Sequence, residues 1–191
     1  MVKYLILIVG LAAIFAVVHV FLPGLRARMG ASNVSTRLSL LPKSEYITIS
    51  DIPVKTAKGQ MLVKHVVVSR YGVFVILVKN IPGRIFGSEA EERWTQKYFN
   101  TERSFRNPLF RCHQQISRIR LASGCTKKAF FPVIVFTGGA SIWVDSTLDI
   151  TTPRHINKCI RAHDRPILTE DEVHHISIKL SELHYRSTYG V

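Results

Sequence analysis

The chain has 191 residues, with 26 Lys and Arg against 13 Asp and Glu, giving a formal charge of +13 and a pI near 10.1. Electrostatics therefore favours anionic partners, while a hydrophobic content of 47% excludes a disordered basic tail, which would lack the apolar residues to build a core. Three cysteines are too few, and odd in number, for a disulfide scaffold, and they read as small buried hydrophobes in a reducing compartment.

From the N-terminus, Tyr4 to Leu22 is an apolar run of nineteen residues whose one strongly polar member is His19. As a helix rising about 1.5 Å per residue it reaches about 28 Å, close to the hydrocarbon thickness of a bilayer. It is longer than the usual core of a signal peptide and no small-x-small cleavage site follows, so a retained anchor is expected. Arg26, Arg28 and Arg37 outweigh Lys3, which places the rest of the chain in the cytoplasm by the positive-inside rule. The expectation is a single-pass membrane protein, with residues 1–25 as anchor and 26–191 as one domain.

Beyond the anchor, Val34, Leu38 and Leu41 recur at helical spacing and stop at Pro42, predicting a short first helix. Strands are predicted at Glu45–Asp51, Leu62–Ser69, Val73–Lys79, Phe131–Thr137 and Ser141–Val144, all rich in β-branched and aromatic residues. Asn107-Pro108 reads as N-cap and first residue of a helix that buries Leu109, Cys112, Ile116 and Ile119 and ends at Gly124, with Arg111, Gln115 and Arg118 on its opposite face. Thr169-Glu170-Asp171-Glu172 is a capping box opening a final helix with a buried stripe of Val173, Ile176, Leu180 and Leu183. This order predicts an α/β (α+β) domain built around a mixed sheet flanked by helices.

Charge is concentrated between Arg93 and Lys128, where nine basic residues face one acid, Glu102. Trp94, Tyr98, Phe99 and Phe105 lie among them and could either stack on bases or fill the core. Cys112-His113, Cys125 and Cys159 lack zinc-ligand spacing. His174-His175 carries no mark of a ligand or base, and Gly138-Gly139 reads as a plain turn.

Two β-branched runs flank Arg70-Tyr71-Gly72 in a hairpin. Centring it between Tyr71 and Gly72 sets Lys64 opposite Lys79 and Val66 opposite Leu77, a like-charge pairing that calls for an anion or a carboxylate between them. At these residues the chain resembles the NERD family, the nuclease-related domain, from about Gly30 to Leu183. The resemblance rests on His65-Val66-Val67-Val68-Ser69, Tyr71-Gly72-Val73-Phe74-Val75-Ile76, Lys79-Asn80, Gly83-Arg84-Ile85-Phe86-Gly87-Ser88, Trp94-Thr95-Gln96, Asn107-Pro108-Leu109 and Val133-Ile134-Val135-Phe136. It implies a restriction-endonuclease-like, PD-(D/E)xK fold and a metal-dependent nuclease. The implied site has an Asp before His65, an acid two residues before Lys79, Lys79 itself, a Glu on the first helix and a Gln four residues after Asn107.

Here Lys64, Leu77, Ala31 and Arg111 stand at those positions, and Lys79 alone is retained. Mg²⁺ is held by one or two carboxylates plus waters and phosphate oxygens. Each unit charge–charge term at 4 Å and an effective dielectric near 20 is about 4 kcal/mol, doubled for a divalent ion, so a lysine in place of an acid opposes metal binding. The expected function is a membrane-anchored, catalytically degenerate domain that binds DNA or RNA through Lys64, Lys79, Arg111, Arg118, Arg106 and Lys97, without a cofactor. One alternative is an active Mg²⁺-dependent endonuclease using relocated acids, with Asp51, Glu45, Glu89, Glu91 and Glu92 as candidates. The other is a membrane-tethered protein-interaction module.

Overall fold

The computed structural model describes residues 33–57 and 59–189. The expected anchor at residues 4–22, and Ala31, lie outside the described residues. Among the described residues no helix is long and apolar enough to cross a membrane. The fold is α+β, with two mixed sheets flanked by helices.

A short helix at residues 33–38 (α1) leads into β1 (Tyr46–Thr56), β2 (Gly59–Ser69) and β3 (Gly72–Asn80), and then β4 (Gly83–Ser88), β5 (Arg93–Tyr98) and β6 (Thr101–Arg106). Helix α2 (Pro108–Ser123) precedes β7 (Phe130–Thr137), β8 (Ala140–Asp145), β9 (Asp149–Thr151), α3 (Ile156–Arg161) and α4 (Glu170–Tyr189). The first sheet has strand order β1-β2-β3-β7-β9 and the second β6-β5-β4-β8.

The first sheet is apolar on both faces, which explains why β3 and β7 are nearly unbroken hydrophobic runs rather than alternating ones. Val66 and Val68 pair with Val75 and Val73, and with Leu77 they join the core that also holds Leu109, Cys112 and Ile116 of α2 and Ile176 and Leu180 of α4. The intervening residues Val67, Phe74 and Ile76 build a second core with Val34, Leu38 and Leu41, and with Ile156 and Ile160 of α3. Period-two alternation therefore divides one sheet between two helical layers.

β3 and β4 are successive lengths of one bent strand, as are β7 and β8. The parallel register Asn80↔Thr137 continues across the bend as Gly83↔Ala140. Ile81-Pro82 on one strand and Gly138-Gly139 on the other form the corner. Both glycines have left-handed φ, 82° and 78°. A Cβ on Gly138 would lie 2.7 Å from Asn80 Oδ1, the atom that accepts the Thr137 hydroxyl at 3.2 Å. The Gly-Gly turn thus bends a strand pair and lets Asn80 pack against the backbone.

Both longer helices begin as their sequences predict. Asn107 Oδ1 accepts from Leu109 N at 2.9 Å, Pro108 follows, and Gly124 closes α2 at φ 69°. Thr169 N donates to Glu172 Oε2 at 2.8 Å and Glu172 N to Thr169 Oγ1 at 3.2 Å, a reciprocal capping box. Gln115 departs from expectation, because it is buried rather than exposed beside Arg111 and Arg118. It lies at the margin of the α2 stripe, beside Ile116 and Ile119. β4, β5, β6, β9 and α3 were not predicted as elements. β5 and β6 are polar on both faces apart from Trp94 and Phe105, so no alternation marks them.

Candidate functional site

The end of β3, the end of β6, the turn of the β1–β2 hairpin and the first three turns of α2 converge on a cleft of about 670 Å³. Four cationic side chains line it: Lys79 from the end of β3, Arg106 from the end of β6, and Arg111 and Arg118 from α2. Thr56, Asn107, Gln114 and Ser117 add uncharged polar groups, and Met61, Pro108 and Phe110 an apolar wall. Among the described residues no carboxylate lines the cleft.

Helical geometry explains the arginine pair, because positions seven apart lie two turns along one face. Arg106 is held over the Phe110 ring at 5.5 Å. The first turn of α2 carries no acid, so the positive end of its dipole adds to the field of these side chains. Burial, and then the Arg111 charge, hold the Lys79 ammonium below its ordinary pKa. Lys79 has no ion pair among the described residues. A cleft of this kind accepts anionic oxygen and repels cations.

Two expected members of the cluster lie elsewhere. The hairpin register is His65↔Ile76 and Ser69↔Gly72, two residues from that expected, so Lys64 does not oppose Lys79. Lys64 Nζ instead meets Asp51 Oδ1 at 2.6 Å. Asp51 takes left-handed φ, 54°, and above and below it Ile49/Val66 and Ile52/Val63 enter the same core. The β1–β2 pair therefore changes face at Asp51 and Lys64, a kink the alternation of the sequence does not announce. Lys97 pairs with Glu102 at 3.0 Å and lies 5.7 Å over the Phe86 ring. Leu77, two residues before Lys79, is buried in the core with α2.

Of the five other basic residues between Arg93 and Lys128, three are engaged, while Arg103 and Lys128 are exposed. Arg93 donates to Ser104 Oγ at 2.9 Å, Lys127 to Glu172 at 2.7 Å, and Arg120 covers the Phe130 ring at 5.2 Å. Trp94 is fully buried and donates to Ser88 O at 2.8 Å, and Phe105 packs partly buried on the same core. Tyr98 and Phe99 are exposed at the β5–β6 turn.

Several acids are engaged as well, while Glu91 and Glu92 are exposed. Glu89 Oε1 accepts from Ser146 Oγ at 2.7 Å, from Thr147 N and Oγ1, and from Leu148 N at 3.2 Å, which holds its carboxyl below the usual range. Glu45 accepts from the Tyr71 hydroxyl at 3.4 Å. Asp149 accepts from Cys159 Sγ at 3.0 Å and His163 Nε2 at 2.8 Å, and burial pushes the Cys159 thiol up to about 12. This last cluster, absent from the sequence reading, fastens α3 to β9. Among the described residues no group of three or more His, Cys, Asp or Glu side chains is placed to hold a metal ion.

The family model for the nuclease-related domain matches residues 26–137, more than half of the chain and every element contributing to the cleft. The chain belongs to the NERD family. An uncharacterized protein of Bacillus anthracis is 30% identical over 177 residues, covering 90% of this chain and 83% of that protein. No solved structure matches. In this NERD protein the matched region carries Lys79, Arg106, Arg111 and Arg118, while α3 and α4 lie beyond it.

Proposed function

We propose that this NERD protein is a membrane-anchored nucleic-acid-binding protein whose Lys79, Arg106, Arg111 and Arg118 cleft takes phosphodiester oxygens without hydrolysing them. One observation carries the reading: among the described residues four cations and no carboxylate line a cleft that includes Lys79 and Arg111, two of the five positions of the site the resemblance implies. Phosphate contacts from such a cluster give affinity that falls with salt and little sequence preference. The order α1, β1–β3, α2 and β7 around the first sheet, with β4–β6 of the second sheet inserted before α2, supports a restriction-endonuclease-like core with its catalytic positions exchanged.

The residues of the cleft do not fit Mg²⁺. That ion needs carboxylate oxygens, and the cleft offers ammonium, guanidinium, amide and hydroxyl groups. Leu77 turns the position of the second acid into core packing, and Lys64 occupies the first while neutralising Asp51. Three of the five acids that a relocated site would recruit serve other bonds, Asp51 with Lys64, Glu89 with the 146–148 loop and Glu45 with Tyr71, while Glu91 and Glu92 are exposed and do not line the cleft. Anchoring through residues 4–22, with the domain on the cytoplasmic side, rests on hydropathy and flanking charge and completes the proposal.

The test is a combined cleavage and binding assay of the full chain in detergent with Mg²⁺ or Mn²⁺, beside Lys79→Ala. Binding without cleavage is expected. Cleavage by the wild-type chain that disappears in Lys79→Ala would establish a metal nuclease instead. Absence of binding at low salt would leave a tethered protein-interaction module.

A further inference from the structure

The outward face of the second sheet carries aromatic rings that the core does not use. Phe86 on β4 and Trp143 on β8 are directly paired in the parallel register, and their rings stack with centroids 6.3 Å apart and planes inclined by 25°. Trp143 is 62% exposed although it is one of two tryptophans in the chain. Its indole Nε1 donates to Ser141 Oγ at 3.0 Å, which fixes the ring's orientation. Lys97 lies over the Phe86 ring, and Arg84, cross-strand from Lys97, is exposed on the same face.

The same face runs into the cleft. The register Phe86↔Thr95 and Thr95↔Ser104 places Ser104 level with Phe86 on the edge strand β6, and Arg106 is the next residue outward on that strand. Two strand spacings and one two-residue step put the Phe86 and Arg106 Cα atoms about 12 Å apart. That is about the span of two nucleotides of extended single strand, and Arg106 also lines the cleft.

We infer that the Phe86–Trp143 face is a stacking platform for unpaired bases, so that the ligand of this protein is single-stranded nucleic acid whose backbone continues into the Arg106 end of the cleft. The inference rests on the nucleic-acid reading above and names its substrate class. Charge complementarity favours this occupant over an apolar protein surface: Arg84 and Lys97 neighbour the Phe86 ring and Arg93 and Arg106 continue the same face toward the cleft, against Glu102, already paired with Lys97, and Asp145, two residues from Trp143 on β8. Paired bases in a duplex present their edges and bury their faces, so exposed rings reward a single strand specifically.

The test uses the full chain in detergent micelles with a labelled fifteen-residue oligothymidine and a duplex of equal length. Oligothymidine should quench tryptophan emission in the wild-type chain and leave Trp143→Phe, which retains buried Trp94, unquenched. Trp143→Ala should weaken single-strand binding on the order of tenfold, with Trp143→Phe restoring most of it and duplex binding unchanged. Equal affinity for single strand and duplex, or an unaltered Trp143→Ala beside a weakened Arg111→Ala, would overturn the platform and leave the cleft standing. No binding of either probe to the wild-type chain would remove both.

Discussion

Asp51 and Lys64 face each other across β1 and β2 with Nζ 2.6 Å from Oδ1, at the point where the strand pair changes face. About half of each side chain is exposed, so the ion pair itself contributes little. The backbone matters more, because Asp51 holds left-handed φ, which a short polar side chain tolerates and a β-branched one does not. Asp51→Gly should leave the urea midpoint nearly unchanged, whereas Asp51→Val should cost about 1–2 kcal/mol of stability. Lys64→Ala should fall within about 0.5 kcal/mol of wild type and leave nucleic-acid affinity unaltered, since Lys64 stands outside the cleft.

Lys79 is a half-buried cation beside a second cation, without a described counter-charge. Its depressed pKa means that the charged form is disfavoured in the empty fold. Lys79→Met should therefore raise the melting temperature by about 2–4 °C while weakening binding of nucleic acid, a divergence that calorimetry and anisotropy measured on one preparation would reveal. A fall in both would make Lys79 a structural residue.

His65 is buried, with Nδ1 3.1 Å from Ser50 Oγ and no partner at Nε2 among the described residues. Burial holds its pKa below the ordinary 6.5. The folded state resists the proton that the unfolded chain accepts, so this contribution to stability is complete above pH 6.5 and is lost as pH falls from there through the folded value. His65→Asn, which keeps the Nδ1-like contact, should flatten the dependence of the urea midpoint on pH between 7.5 and 5.

Burial pushes the thiols of Cys112 and Cys159 up to about 12, with Asp149 adding to the effect at Cys159; Cys112 is buried, whereas Cys159 and Cys125 are partly exposed. Thiolate is the reactive form. Titration of the native chain with an aromatic disulfide should give one fast thiol at Cys125, a slow one at Cys159, and Cys112 only on unfolding. Fast reaction at three sites would contradict the burial of Cys112 in α2 and the hold of Asp149 on Cys159.

The sequence is legible where one local rule governs. Asn107-Pro108 and Thr169 to Glu172 each announce a helix start through a hydrogen bond within four residues, and both form. The stripes of α2 and α4 and the runs of β3 and β7 are equally plain. The register of β2 on β3 is not, because it answers to β1 and β7 on either side as well as to the Arg70-Tyr71-Gly72 turn. β5 and β6 are polar apart from Trp94 and Phe105 and carry no periodic signal. Of six cations expected to cluster, the four that converge sit on α2 or end the strands beside it. Lys64 and Lys97 are diverted by acids, Asp51 and Glu102, that lie opposite them across their hairpins, one thirteen residues away and one five. Partners of that kind follow from register, which a single strand does not encode.

The central claim is that the four-cation cleft binds phosphate electrostatically, and the most direct measurement is the salt dependence of duplex affinity in EDTA. With four phosphate contacts, the slope of log affinity against log salt should be about −3 to −4, falling by about 2 in the Arg111→Gln, Arg118→Gln double variant. Lys64→Ala should keep the wild-type slope. A slope unchanged in the double variant, or binding that requires a divalent cation, would contradict the account.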